Sequence, residues 1–340
     1  MSGGPSCPEP PEGSRPSCAR RLLRWAQQVG LAGSASEQRR LAAMGLDVLA
    51  ERMVPTADEP DVALTAQWSA FICLVDDYFD RDLRGTPTSR AESVLQRLLG
   101  VLAGEEPQPD STGPEVALAD LWRRTAPRMS PRWRDRFIAD YTDFSRATCE
   151  EAVHRERRHQ LPLDSYVALR RRTITVLPMT DIVECTAAAS LPDSPELLEQ
   201  RAEGARLWAF RCAAADVVGW TNDLASAEAD RSQGQNNLLT VLERERGCSF
   251  AESRTEVVSM RDARLKDFRS LALKLSDGRG VPSSAHVSVA AYTAAICDVV
   301  NASLYWLGRT GRFDAQWLPP HAVSSQPGAE EGRRTSHETS

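Results

Sequence analysis

Apolar residues recur at steps of three and four along almost all of residues 17–308, and segments that alternate apolar with polar residues are scarce. Three to four residues bring a side chain back to the same face of an α-helix, whereas a β-strand repeats every second residue. Gly and Pro cluster at the breaks "RGTP", "GEEPQPDSTGP" and "SDGRGVPSS". The pattern predicts an all-α chain with helices at about residues 17–30, 37–53, 61–81, 88–104, 114–126, 131–154, 163–187, 194–229, 236–246, 249–276 and 284–308.

The two ends of the chain differ in composition from this helical region. Residues 1–16 are rich in Pro, Gly and Ser, and residues 319–340 are polar with the same bias. Such a composition does not bury enough apolar surface to fold. We predict that both ends are disordered and that residues 17–318 form one domain, because neither a repeat nor a shift in composition divides them.

Charge and composition exclude several classes of protein. The formal net charge of −6 and the isoelectric point near 5.6 do not suit a general nucleic-acid binder. No apolar run approaches the roughly 20 residues of a membrane span, and the start of the chain lacks the order of a signal peptide. The eight cysteines lack the paired spacing of a zinc site or a disulfide framework. We expect a cytoplasmic protein without a nucleic-acid partner or a membrane span.

The stretch "CLVDDYFDRD", residues 73–82, places a cluster of aspartates at the end of an apolar segment. Asp76 and Asp80 are one helical turn apart and share a face, with Asp77 about 100° away. Carboxylates in this arrangement suit Mg²⁺, which takes hard oxygen ligands and completes its shell with water and phosphate oxygens. The alternative is a solvated helix end, although the preceding "WSAFICLV" is too apolar for an exposed helix.

A second polar stripe follows the apolar segment "RLWAFRCAAADVVGW". Asn222, Ser226 and Asp230 stand at i, i+4 and i+8, so an amide, a hydroxyl and a carboxylate oxygen line one face of a helix. Two metal-binding stripes need an anion between them, and arginine forks match phosphate oxygens. Basic residues suited to that role occur in "YVALRRRTIT", residues 166–175, and in "YWLGRTGRF", residues 305–313.

Taken together, these motifs resemble the class I terpene cyclases of bacteria from roughly residue 20 to residue 315. The order matches: an aspartate-rich DDxxD, then "YxxxRRxT", then NDxxSxxx(E/D), and an arginine-aromatic pair at the end. The resemblance implies a single-domain class I terpenoid synthase fold, a helical bundle around a deep apolar cavity, with three Mg²⁺ ions that hold a prenyl diphosphate at its mouth. It implies metal ligands at Asp76, Asp77, Asp80, Asn222, Ser226 and Asp230.

The resemblance also implies roles for the arginine-rich segment. Arg170 would be the arginine that senses diphosphate, with Arg171 as the alternative because consecutive arginines leave the register open. Thr173 would link it to Ile174, whose carbonyl would face the leaving oxygen. Arg312 would bind diphosphate, with Phe313 in place of the usual tyrosine.

One further diphosphate ligand of the family is replaced in this chain. Ala229 stands where a lysine is frequent, which leaves Arg231 as a candidate substitute. Cavity-lining candidates are Ile72, Cys73, Met179 and Trp306. The small side chains among them keep a C20 substrate open beside C15, so farnesyl and geranylgeranyl diphosphate are both candidates.

Two other functions are compatible with parts of the sequence. A chain-elongating prenyltransferase of related fold would carry a second DDxxD motif where this chain has Asn222, Ser226 and Asp230. A non-catalytic helical protein that binds an isoprenoid or a partner helix would leave the acidic stripes solvated. The sequence favours Mg²⁺-dependent cyclisation to a terpene hydrocarbon or alcohol by a monomer or a homodimer.

Overall fold

The computed structural model of this chain describes residues 16–79, 88–108, 111, 113–157, 159–193, 202–277 and 283–313. Within these residues the regular structure is helical and no strand occurs. Asp80 and both terminal segments predicted to be disordered, apart from Pro16, lie outside the described residues. The α-helices are α1 Pro16–Gln28, α2 Ala35–Ala43, α3 Leu46–Met53, α4 Glu59–Asp77, α5 Thr88–Leu102, α6 Gly113–Thr125, α7 Pro131–Glu156, α8 Leu163–Thr173, α9 Val176–Thr186, α10 Ala202–Gln233, α11 Leu238–Arg246, α12 Phe250–Ser276 and α13 His286–Leu307.

The helical periodicity locates these elements but merges two pairs of them. The segment predicted as 37–53 divides at Gly45, whose φ of +65° is the left-handed conformation that glycine adopts without strain. The segment predicted as 163–187 divides at Thr175, a non-glycine residue with φ of +64°. A single left-handed residue ends a helix without interrupting the apolar spacing, so the sequence pattern does not reveal it.

The bundle is organised around α4, α9 and α10. Helix α10 packs against α8, α9, α11, α12 and α13, and α4 packs against α1, α3, α6 and α9. Helix α9 contacts α4, α7, α10 and α13, and each residue from Val176 to Thr186 is buried. The helix that follows the arginine-rich segment is therefore enclosed on every side.

Local sequence fixes where these helices begin. Asp58 caps α4 by accepting a hydrogen bond from the Asp61 backbone, and Pro60 suits the first turn because its missing N–H would have no partner there. Ser249 and Glu252 form a capping box at α12. These caps hold the ends of helices that contribute to the packed core.

Among the described residues, α13 alone meets the length and hydropathy of a membrane span. It has 22 residues, and its most apolar 18-residue window has a mean hydropathy of 1.4 and is half buried inside the bundle. Its buried face includes Tyr292, Ile296 and Trp306. The core helix of a folded bundle meets the same criterion, and the packing of α13 is of that kind.

Candidate active site

Two adjoining hollows open between α4, α8, α10 and α13. The outer hollow, here called the mouth, is mostly polar and is lined by residues that include Arg40, Asp76, Asp77, Arg170, Asn222, Asp223, Ser226, Asp230, Arg312 and Phe313. The inner hollow, here called the cavity, is mostly apolar. Asp76, Arg170, Asn222 and Arg312 line both. Charged groups and apolar wall thus meet at one boundary.

The α4 side of the mouth is a cluster of two carboxylates and two guanidinium groups. Arg312 donates to Asp76 Oδ2 at 2.6 Å and to Asp77 Oδ1 at 3.3 Å. Arg40 of α2 forms an ion pair with Asp77. Burial opposes the positive charge of Arg312, but the neighbouring anionic groups raise its pKa well above the usual value. Arg312 therefore remains a cation at the boundary of the cavity.

The opposite side of the mouth is organised by Asp223. Its carboxylate accepts from Arg170 Nε at 2.8 Å and from Tyr166 Oη at 2.7 Å. Arg170 also donates to Asn222 Oδ1 at 2.8 Å. Burial alone would lower the pKa of Arg170, yet the charge of Asp223 outweighs it and the pKa is raised. The guanidinium is fixed in place and stays charged.

The stripe on α10 faces the same space. Ser226 Oγ lies 2.6 Å from Asp230 Oδ2 and 3.0 Å from the Asn222 carbonyl oxygen. Burial raises the pKa of Asp230 to about 6, although hydrogen bonds from Ser226 and Asn237 oppose the shift. The spacing of i, i+4 and i+8 places the three predicted metal-ligand side chains on one face of α10, as helix geometry requires.

The oxygen ligands at the mouth suit a metal cation that is also coordinated by a bound anion. All of them are oxygen atoms of carboxylate, amide and hydroxyl groups, which favour Mg²⁺ over softer metals. No three acidic, histidine or cysteine side chains within the described residues come close enough to hold an ion by themselves. Asp76 and Asp230 stand on different helices, so a diphosphate between them would supply the remaining oxygens. The residues therefore fit Mg²⁺ bound together with a phosphate-containing ligand.

The cavity is lined mainly by apolar and uncharged side chains. All four predicted lining residues, Ile72, Cys73, Met179 and Trp306, contribute to its wall, as do Thr173 and Ile174. Burial raises the pKa of the Cys73 thiol to about 11, so this sulfur is not a thiolate nucleophile at neutral pH. Trp306 also has a structural contact, because its Nε1 donates to the Met44 carbonyl oxygen at 2.5 Å.

The break between α8 and α9 leaves main-chain oxygens without helical donors, and that of Ile174 is one of them. In an uninterrupted helix the carbonyl of Ile174 would accept from residue 178, but Pro178 has no N–H. No hydrogen bond among the described residues ends on this oxygen. Ile174 lines the cavity. The role that the resemblance implies for the Ile174 carbonyl stays a prediction.

Two of the predicted diphosphate ligands lie away from the mouth. Arg171 forms ion pairs with both oxygens of Asp216, at 2.7 and 2.9 Å. Arg231 is more than half exposed, 3.3 Å from Glu243 and above the Phe250 ring. Neither lines the mouth or the cavity. Of the two alternatives left by the sequence, Arg170 is the arginine at the mouth.

Several residues of the site were missed by the sequence interpretation. Arg40 pairs with Asp77 across 37 residues of sequence, which no local spacing reveals. Asp223 stands inside the NDxxSxxx(E/D) motif but points to Arg170 and not along the stripe of Asn222. The effect of Pro178 could have been predicted from the sequence, because a proline has no N–H to donate to the carbonyl of Ile174, four residues before it.

This fold and site define a class I terpenoid synthase, an all-α enzyme with a polar diphosphate mouth above an apolar cavity. Residues 67–267 match the model described as terpene synthase family 2, C-terminal metal binding. The chain belongs to this family of terpene synthases.

Curated relatives and solved structures agree with that assignment. The chain is 31% identical over 308 residues to a (-)-beta-caryophyllene synthase, described as (2E,6E)-farnesyl diphosphate cyclizing, from Saccharothrix espanaensis, covering 88% of this chain and 85% of the relative. It is 30% identical over 305 residues to the pentalenene synthase of Streptomyces exfoliatus, with 87% of each chain covered. The crystal structure of an a-eudesmol synthase superimposes with a TM-score of 0.78 at 25% identity, covering 92% of this chain and 100% of that one.

Proposed function

We propose that this terpene synthase ionises and cyclises a linear prenyl diphosphate, with farnesyl diphosphate as the expected substrate and geranylgeranyl diphosphate as the next candidate. The observation that carries the proposal is the shared boundary of the two hollows: Asp76, Arg170, Asn222 and Arg312 line both the polar mouth and the apolar cavity. A substrate with a charged head and a hydrocarbon tail fits this polarity. The relatives that cyclise farnesyl diphosphate support the C15 chain length.

The mouth residues bind and orient the diphosphate. Arg170 and Arg312 present guanidinium forks that match phosphate oxygens, and their carboxylate partners hold them in position before substrate arrives. Asp76, Asp77, Asn222, Ser226 and Asp230 would hold Mg²⁺, three ions by the family resemblance, with Asp80 outside the described residues. Bound Mg²⁺ supplies Lewis-acid stabilisation of the departing diphosphate.

The cavity residues keep the carbocation, which remains when diphosphate departs from the substrate, away from water and from nucleophiles. Thr173 and Ile174 stand at the end of α8, close to Arg170. The Ile174 carbonyl would present its dipole to the reacting end of the substrate. Ile72, Met179 and the neutral Cys73 thiol form an unreactive wall. Trp306 offers an aromatic face to a passing cation. These groups guide the tail toward ring closure.

The decisive experiment is gas chromatography with mass spectrometry of products from the purified protein, incubated with Mg²⁺ and C10, C15, C20 or C25 diphosphate in turn. We expect cyclic products from the C15 substrate, together with release of inorganic diphosphate. An Asn222→Ala variant should fold normally and release none. Diphosphate release from none of these substrates by the wild type would contradict the proposal.

A second arm of the same experiment adds isopentenyl diphosphate to each allylic substrate. A cyclase gives the same products with or without it. Longer prenyl diphosphates that form only in the mixture would indicate a chain-elongating prenyltransferase.

A further inference from the structure

Asn237 lies just beyond the α10 stripe and was not part of any predicted site. It is fully buried at the start of α11. Its Oδ1 accepts from the Leu239 backbone N–H at 3.0 Å, which caps the helix. Its Nδ2 donates to Asp230 Oδ2 at 2.8 Å and to the Asp223 carbonyl oxygen at 2.9 Å. An amide NH₂ has two hydrogens, so both are used.

These contacts determine how the Asp230 carboxylate faces the mouth. Ser226 at 2.6 Å and Asn237 at 2.8 Å both approach Oδ2. No hydrogen bond among the described residues ends on Oδ1. Two donors on one oxygen fix the rotation of the carboxylate and leave the other oxygen available to a cation.

A helix cap alone does not explain this arrangement. Serine or aspartate would accept from Leu239 equally well, since both are favoured caps. Neither has an amide, so neither would reach across to Asp230 and Asp223 with two donors. The side chain at position 237 therefore connects the start of α11 to the metal-binding stripe of α10.

We propose that Asn237 is a positioning residue that holds Asp230 in the orientation that binds Mg²⁺, while capping α11. The inference rests on the proposed function, because it takes Asp230 as a cation ligand. Groups that orient metal ligands typically contribute about 10- to 100-fold in metal affinity or activity. Asn237 does not touch substrate and acts through Asp230.

The test uses Asn237→Ser, which keeps a capping oxygen and removes both amide donors. Calorimetric titration of Mg²⁺ into the protein mixed with inorganic diphosphate gives a binding constant that does not depend on turnover. We expect the half-saturating Mg²⁺ concentration to rise about 10-fold or more, with diphosphate release recovered at high Mg²⁺. Asn237→Asp keeps the cap as well and places an oxygen next to Asp230 Oδ2, so its loss of affinity should be larger.

Ser249→Ala is the matched control, because Ser249 caps α12 in a capping box outside the mouth and the cavity. It should lower the melting temperature and leave the Mg²⁺ requirement unchanged. If Asn237→Ser has lost thermal stability but its Mg²⁺ half-saturation lies within twofold of the wild type, Asn237 is only a cap and the inference is wrong. It is also wrong if both position-237 variants fail to fold, since the residue then serves folding first.

Measurements on the wild-type protein distinguish a failure of the proposed function from a failure of the positioning role of Asn237. Normal Mg²⁺-dependent release by the wild type with an unchanged Asn237→Ser variant would overturn the positioning role alone. A wild type that neither binds diphosphate with Mg²⁺ nor releases it from prenyl substrates would overturn the proposed function and this inference together.

Discussion

Two clusters of arginine and carboxylate groups lie in different parts of the helical bundle. One is the mouth, where Arg170 and Arg312 pair with Asp223 and Asp76. The other, here called the core network, consists of Arg136, Asp140, Asp181, Glu184 and Arg211. In the core network Arg211 also donates to the Leu177 carbonyl oxygen at 3.0 Å, which anchors α9. The residue types are the same, but no residue of the core network lines the mouth or the cavity.

The difference shows that solvent exposure, and not the types of residue present, distinguishes the binding site from the structural network. Asp76 has about half of its side chain exposed, so its arginine can be exchanged for a cation and water. Asp181 is fully buried, with Arg136 and Arg211 each 3.0 Å from its Oδ1. Charges that cannot reach solvent are costly to leave unpaired, so the core network holds α9 in one position.

The largest effect on stability should come from Arg211→Met in the core network. Removal of this guanidinium leaves Asp140 and the buried Asp181 and Glu184 with one arginine and should lower the free energy of unfolding by about 3–5 kcal/mol. Urea denaturation measures it. Asp76→Asn is the contrast: we expect a change within about 1 kcal/mol, because the pair is partly exposed, and loss of Mg²⁺-dependent diphosphate release. Equal stability losses in both variants would remove the distinction between the two clusters.

Arg170 and Arg171 are consecutive on α8, yet we expect substitutions at the two positions to differ in effect. Arg170→Gln should lower kcat/KM for the C15 substrate about 10- to 150-fold, the loss that corresponds to a charged hydrogen bond of about 1.5–3 kcal/mol. Arg171→Gln should stay within about threefold of the wild type, because its side chain faces Asp216. Steady-state kinetics of both variants measures the two values of kcat/KM. The reverse order would show that the register of the sensor motif is shifted by one.

The core network should also produce a pH dependence of stability. Burial raises the pKa of Asp140 to about 6 and that of Glu184 to about 7, against the opposing charges of Arg211 and Arg136. Both carboxyl groups thus bind protons more tightly in the folded than in the unfolded chain. The stability they contribute is complete below about pH 4 and is lost as the pH rises from there through 6 and 7, by about 3 kcal/mol for each group.

Glu184→Gln and Asp140→Asn are the variants that check this pH dependence. Each should flatten the decline in the free energy of unfolding between pH 4 and 7.5, measured by urea titration at several pH values. A wild-type profile that instead rises across this range would contradict the raised pKa values.

The smallest effect should come from Arg231, which the sequence suggested as a diphosphate ligand. Its side chain is more than half exposed and pairs with Glu243 outside the mouth. We expect Arg231→Ala to change KM for the prenyl diphosphate less than twofold. Arg312→Gln, measured beside it, should raise KM far more. A large KM effect at Arg231 would mean that the end of α10 moves when substrate binds.

Much of the fold and part of the site followed from local spacing. The helices, the Asp-rich end of α4 and the α10 stripe depend on contacts within a turn or two, which the chain encodes directly. The divisions at Gly45 and Thr175 were missed because one left-handed residue does not disturb the apolar period. Asn237 was missed because its cap is local but its contacts with Asp230 and Asp223 join two helices.

The amino-acid sequence was sufficient for the helical class, the polar residues of each stripe and the family. The neighbour that each charged side chain meets depends on how the helices pack. Arg170, Arg171 and Arg172 are consecutive, yet they pair with Asp223, Asp216 and Asp143 respectively. Successive side chains on a helix point about 100° apart, so the surrounding packing selects which arginine faces the mouth and which ones hold the bundle together.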